Sequence, residues 1–234
     1  MALFYVPNPA AGNFLPEDES THAVKVLRLK TGDAISVVDG VGGFYEAKIT
    51  DAHHKHCGFE ITAAIHDFGK RDYRLHIAIA PTKNIERLEW FVEKATEIGI
   101  DEITPVICRF SERKIIKEER LEKIVISAAK QSKKAFFPKL NPQITLDELI
   151  TNCKAKSKFI AHCYETDKKQ LFSEIQKSED VLILIGPEGD FSKDEVEKAM
   201  HHGFIPVSLG DSRLRTETAG VVACHTVALM HRLP

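Results

Sequence analysis

The chain has 234 residues, 43% of them hydrophobic and 28% charged, with a formal net charge of −2. That balance belongs to a globular domain or two, and it excludes a collagen-like, disordered or uniformly basic chain. No apolar run is long enough to span a bilayer, and no basic segment precedes an apolar one at the N-terminus, so neither a membrane anchor nor a secretion signal is expected.

The first 70 or so residues read as short strands. "AISVVDG", "GFYEAKIT" and "FEITAAI" are β-branched and aromatic, and "DGVGG" at 39–43 is a hairpin signal. Glu17 to Leu29 interrupts them as a short helix. Short strands at close spacing predict a small β-barrel.

Beyond "HDFGKRDY" strands alternate with helices. "LHIAIA" (75–80) precedes a helix at about 84–98, with Ile85, Leu88, Phe91, Val92, Ala95 and Ile98 on one face. "ITPVI" (103–107) and a helix at about 118–134 follow. Next come "KFIAHC" (158–163), a polar helix at about 167–177 and "DVLILI" (180–185). A helix at 193–202, "FIPVSL" (204–209) and a last helix at about 217–231 complete the chain. The alternation predicts a mostly parallel α/β sheet covered on both faces, in a second domain beginning near residue 70.

The net charge conceals a basic sector. Arg109 to Leu140 holds ten Lys/Arg against four Asp/Glu, a net of +6. That suits a polyanion met on one side, although a solvated helix face has the same composition. Lys123, Lys130 and Lys134 recur on one side of the predicted helix, and Arg109, Arg113 and Lys114 precede it. The five cysteines include no C-x-x-C pair, which predicts reduced, mostly buried thiols in the cytoplasm. His53, His54, His56 and Cys57 are metal-ligand types, but successive strand positions face opposite ways, so a surface hairpin turn is the better reading and no metal is expected. "GVGG" at 40–43 lies in a hairpin and is no dinucleotide motif.

Two stretches stand out. "LIGPEGDFS" (184–192) joins a strand to a helix that Ser192 and Glu195 start with a capping box. Ligands of parallel sheets bind beyond the carboxyl ends of the strands, where this loop lies. It lacks a phosphate fingerprint, and Pro187 removes an amide from it. "SLGDSRLRTETAG" (208–220) crowds Gly210, Arg213, Arg215, Thr216 and Glu217 ahead of an apolar helix, with Thr216 as its candidate N-cap. Charges at the mouth of a buried helix are costly unless paired or used.

These stretches, with "HAVKVLRLKTGD", "RLEWFVEKATEIGI", "SERKIIK" and "SAAKQSKK", resemble in order the RsmE-type 16S ribosomal RNA (uracil-N3)-methyltransferases of the SPOUT superfamily. The resemblance covers nearly the whole chain. It implies a PUA-like β-barrel that binds RNA (1–70) and a SPOUT α/β domain with a trefoil knot (71–234). It implies methylation of N3 of a specific uridine of the small subunit's RNA, with S-adenosyl-L-methionine as cofactor. The cofactor would be held by His162, Glu165, Ile185, Gly186, Pro187, Gly189, Leu209, Gly210, Leu214, Arg215 and Thr216. Arg215 would steady the uracil anion, and Glu217 would take its proton or orient Arg215. RNA would lie on His22, Lys25, Arg28, Arg113, Lys130, Gln131, Lys133 and Lys134. The partners implied are 16S ribosomal RNA or the small subunit, and a second copy met through the knot helices. Two rivals share these motifs: a SPOUT enzyme acting elsewhere on RNA, such as a ribose 2′-oxygen, and an RNA-binding assembly factor without catalysis. The family usually has Gly-Pro-Glu-Gly-Gly where this chain has Asp190, so Asp190 is left outside the expected site.

Overall fold

A computed structural model of the chain describes residues 1–177 and 179–233. These fall into two compact units, Met1–Lys70 with Ile126–Phe137, and Arg71–Val125 with Pro138–Pro234. The division thus follows residue 70 but also gives the first unit a later stretch of chain.

In the first unit, β1 (Ala2–Tyr5) leads to α1 (Glu17–Thr21), which runs on as a π-helical turn over His22–Val26. Then come β2 (Ala34–Val38), β3 (Phe44–Asp51) and β4 (Gly58–Ile65). Their order is β1-β2-β3-β4, with β1 parallel to β2 and the rest antiparallel. The ladder among the described residues has four strands, and Phe14, on the segment after β1, bridges antiparallel to Gly58 at the start of β4. Alternation sets its faces: Ala47 and Ile49 of β3 are buried, while Glu46, Lys48 and Thr50 are exposed. Phe4, Ile35, Val37 and Phe59 join them in the core. The turn after β2 is held by Asp39, whose carboxylate accepts from the Val41 and Gly43 amides and from the Tyr45 hydroxyl. His53–Cys57 form the turn between β3 and β4.

The second unit is built on β5 (Leu75–Ile79), α2 (Ile85–Ile98), β6 (Glu102–Ile107) and the start of α3 (Glu118–Gln131). It continues through β7 (Lys139–Leu140), β8 (Ile144–Thr145), α4 (Leu146–Asn152) and β9 (Ser157–Ala161). After β10 (Lys169–Gln170) and α5 (Leu171–Glu174) come β11 (Val181–Ile185), α6 (Lys193–His201), β12 (Ile205–Ser208) and α7 (Thr216–Met230). The strand order is β10-β12-β9-β11-β5-β6-β7, with β8 also beside β6 and every pair parallel. All of β11 is buried, as an apolar run in the middle of a doubly covered sheet requires.

Two expected helices need correction, and one stretch holds elements beyond those expected. The polar helix at 167–177 is instead the edge strand β10 and the single turn α5. Only Leu171 and Ile175 are buried there, too narrow an apolar face to sustain a longer helix. Next, the sequence pattern gives no sign of β7, β8 and α4, although the Thr145–Glu148 capping box marks the start of α4. Finally, the helix expected to 134 stops at Gln131. Lys133 takes φ 54°, and the Lys134 amide bonds back to Ala129 O, a Schellman ending. Lys134 thus leaves the row of lysines read from the periodicity.

One glycine sets the packing of α7 on α2. A Cβ at Gly220 would lie 2.6 Å from the fully buried Phe91 ring and 3.0 Å from Ile79 Cδ1. Gly220→Ala will therefore destabilise the protein by about 1–3 kcal/mol through overpacking, despite alanine's better helix propensity. Urea denaturation measures this, and adding Phe91→Leu will restore part of the loss.

Candidate active site

The site begins with strand register. Ala161 of β9 pairs with Ile185 of β11 on one side and Val207 of β12 on the other. Three loops therefore leave the sheet at one level, at its carboxyl edge. They bound two adjoining hollows of about 330 and 380 Å³, which share Ala161, Cys163, Arg213, Leu214 and Ala219. Each is of ligand size.

The loops are tied to one another. The Thr216 hydroxyl donates to Gly186 O at 3.0 Å. Thr216 is thus not the N-cap expected of it; Arg215 holds that position without a side-chain bond. The Asp190 carboxylate accepts the Cys163 amide at 2.8 Å, and the Tyr164 hydroxyl donates to Phe191 O at 2.7 Å. Glu188 accepts the Lys83 amide at 2.9 Å. The capping box of Ser192 and Glu195 starts α6 behind the loop, with Gly203 at φ 82° beyond its end.

Of the residues anticipated, Ile185, Gly186, Pro187, Leu214, Arg215 and Thr216 line the first hollow. His162, Leu209, Gly210 and again Leu214 line the second. Glu165, Gly189 and Glu217 line neither. The small size of Gly189 serves packing within the chain, since a Cβ there would lie 3.0 Å from Phe110 Cβ. Glu217 is 8% exposed and faces Arg87 at 3.8 Å rather than Arg215, while its Oε2 has no hydrogen-bond partner. Lys168, which sequence reasoning missed, lines the second hollow; Cys163 and Arg213, lying in the expected loops without an assigned role, line both; and Asp190, set aside above, lines the first.

Electrostatics narrow the chemistry. Burial lowers the His162 pKa below its ordinary 6.5, and Lys168 adds to this against Asp190, so the ring is neutral at pH 7. Neither of its nitrogens has a partner. Burial, with Asp190, raises the Cys163 thiol above its ordinary 9.0. Cys163 therefore stays a thiol at neutral pH and offers no thiolate nucleophile. Among the described residues no group of His, Cys, Asp and Glu is placed to hold a metal.

The residues expected to meet RNA are placed unevenly. In the first unit His22, Lys130, Gln131 and Lys133 border a shallow groove of about 500 Å³. Lys130 is largely consumed by a half-buried ion pair with Glu19. Lys25 and Arg28 are exposed, and Arg28, like Lys133, has a left-handed backbone, φ 56°. In the second unit the Arg113 guanidinium donates to the carbonyls of Thr82 and Lys83, which locks two loops together. A larger hollow of about 700 Å³ opens at the amino edge of the same sheet. Its polar floor is internally bonded, His76 to Thr104 and Asn141 to both Thr104 and Glu102, and it is remote from the loops just described.

Because His162 is held neutral, protonating it costs stability: its contribution is intact above pH 6.5 and is lost as pH falls through the lowered value. His76, lowered mainly by burial, acts in the same direction. Between pH 7.5 and 5.5 the denaturation midpoint will fall further in the parent than in His162→Asn, which keeps the shares of His76 and of His54, lowered likewise.

Comparison with known proteins supplies the lineage. The family model of the RNA methyltransferase domain matches residues 70–228, and that of the RNA methyltransferase PUA domain matches residues 15–62. Ribosomal RNA small subunit methyltransferase E of Rickettsia conorii is 31% identical over 225 residues, covering 92% of this chain and 89% of the relative. A Porphyromonas gingivalis structure described as a probable rRNA-methyltransferase superposes with TM-score 0.93 at 45% identity, over 99% of this chain and 100% of that one. Ribosomal RNA small subunit methyltransferase E of Neisseria gonorrhoeae, solved bound to S-adenosyl methionine, gives TM-score 0.83 at 28% identity, over 96% and 95%. The fold is therefore a small N-terminal PUA-like domain followed by a parallel-sheet α/β domain. The chain belongs to the RNA methyltransferase family of the ribosomal RNA small subunit methyltransferases E.

Proposed function

We propose that the chain methylates N3 of a specific uridine in 16S ribosomal RNA, using S-adenosyl-L-methionine bound at the carboxyl edge of the parallel sheet. The observation that carries this reading is the three-loop cleft, where the resemblance leads one to expect the cofactor, with His162 buried in it and its ring nitrogens unpartnered. The cleft suits the cofactor. Its walls combine glycine backbone and apolar groups (Ala161, Ile185, Gly186, Pro187, Leu214, Ala219) with charges of both signs (Lys168, Asp190, Arg213), which suits a ligand with an apolar ring system and a zwitterionic amino-acid tail, and its size fits such a nucleoside. Ile185, Gly186, Pro187, Leu209, Gly210, Leu214 and Thr216 would hold it, with His162 at one end.

When bound, the cofactor supplies a methyl group from its sulfonium. The chain must align uracil N3 with that methyl, so that the C–S bond breaks as the N–C bond forms and S-adenosylhomocysteine is left, and it must stabilise the anion formed when the N3 proton passes to solvent water. Arg215 is exposed on the cleft wall and is assigned that charge. Glu217 is buried, lines neither hollow and faces Arg87, so it is assigned to positioning the start of α7 rather than to taking the proton.

The first 70 residues are assigned to RNA. Support comes from His22, Lys25, Arg28, Gln131 and Lys133, exposed in the unit that carries the PUA match. Residues 71–234 are assigned to a SPOUT domain with a trefoil knot. In support, the chain passes from β11 to β12 on the far side of β9, and α7 then returns to pack on β5 and α2. A homodimer through α7 is supported by its outward Val221, Val222 and Leu229, which stay partly exposed. A cytoplasmic location follows from a ribosomal substrate, and no helix among the described residues is long and apolar enough to cross a membrane.

Purified protein, labelled cofactor and small subunits lacking the modification test the assignment. Arg215→Ala will lose roughly 100-fold in turnover, whereas Glu217→Gln will stay within about threefold; an equal loss in both would return the proton to Glu217. RNA binding over a salt series tests the first unit. Replacing Lys25, Arg28 and Lys133 together will weaken binding and flatten the salt slope by about one for each phosphate no longer neutralised. An unchanged slope would place the RNA on some other surface.

A further inference from the structure

The residue that departs from the family pattern makes the most specific bonds in the cleft. Asp190 has φ 65°, a conformation that a glycine enters freely and an L side chain seldom does, Asp and Asn most readily. Both oxygens of its carboxylate accept a backbone amide. One oxygen accepts the Phe191 amide at 2.8 Å, and the other crosses to the Cys163 amide at 2.8 Å. Beside this bond the Tyr164 hydroxyl donates to Phe191 O at 2.7 Å. Cys163 borders both hollows and Asp190 borders the first. The cross-link therefore fixes the distance between two of the three walls.

We infer that Asp190 is a positioning residue that clasps the loop after β9 to the Gly-Pro-Glu-Gly loop and so sets the width of the cofactor cleft. A glycine at 190 would relieve the backbone but leave the Cys163 amide to water. The chain thus exchanges backbone ease for a charge-assisted bond between loops, with Tyr164 as its second point. Asparagine tolerates the same backbone but offers one acceptor oxygen, so it can keep only one of the two bonds. The inference rests on the cofactor reading above, since it states what the clasp is for.

The test uses the full-length protein. Asp190→Gly and Asp190→Asn are compared with the parent for S-adenosylmethionine affinity by calorimetry, for thermal midpoint, and for amide hydrogen exchange at Cys163 without ligand. Asp190→Gly is expected to bind cofactor roughly tenfold more weakly. Its KM will rise with turnover nearly unchanged, its Cys163 amide will exchange faster, and its thermal midpoint will not fall. Asp190→Asn will lie between, and Tyr164→Phe combined with Asp190→Gly will lose more than either alone. Parent-like affinity and Cys163 exchange in Asp190→Gly overturn the clasp. A fall in thermal midpoint with no change in Cys163 exchange overturns it as well, because the residue then serves stability only. A parent protein that binds no cofactor overturns the cofactor reading, and the exchange measurement still decides whether the loops are clasped.

Discussion

Everything at the proposed site depends on parallel strand register. Because Val207, Ala161 and Ile185 are neighbours across β12, β9 and β11, three loops start level and lean over one edge. Antiparallel pairing would send alternate loops to opposite edges. The register itself rests on burial. β11 is buried along its whole length, and a slip of one residue would reverse every side chain between two covered faces. The loops then complete the arrangement with a few side-chain bonds, Thr216 to Gly186 and Asp190 to Cys163, instead of regular structure.

The polar corner ahead of α7 divides its work by depth. Thr216 and Glu217, both buried, face inward to Gly186 and Arg87. Arg213 and Arg215 stay exposed on the cleft wall. Behind them α7 sinks against Phe91 because position 220 has no side chain. A buried apolar helix thus anchors a short charged segment, so the exposed arginines stand on a rigid base. Binding groups on mobile loops gain precision in this way.

Much of the fold is legible in the sequence because its long elements carry long periodic signals. β11 reads as a doubly buried strand and α2 as a one-sided helix from residue pattern alone. The short pieces are not legible. Two-residue strands such as β7, β8 and β10 have no period to detect, and α5 is a single turn. The site is legible as a region, through "LIGPEGDFS" and "SLGDSRLRTETAG", but less so as individual roles. A threonine before a helix reads as a cap, yet Thr216 bonds a carbonyl thirty residues away in sequence. An arginine beside lysines reads as an RNA-binding group, yet Arg113 closes on Thr82 and Lys83. Asp190 reads as a defect in a glycine motif, yet it bridges two loops. Each of these outcomes is set by a distant backbone group, and local sequence carries no record of it.

A cleft that serves methylation of one small-subunit uridine at N3 leaves a chemical mark in the cell. Mass spectrometry of 16S ribosomal RNA from cells that lack the gene reads that mark without intermediate steps, with the gene restored as control. A single 3-methyluridine is expected to disappear with the gene and to return when the gene is restored. A 3-methyluridine content that is the same with and without the gene would contradict the proposed reaction.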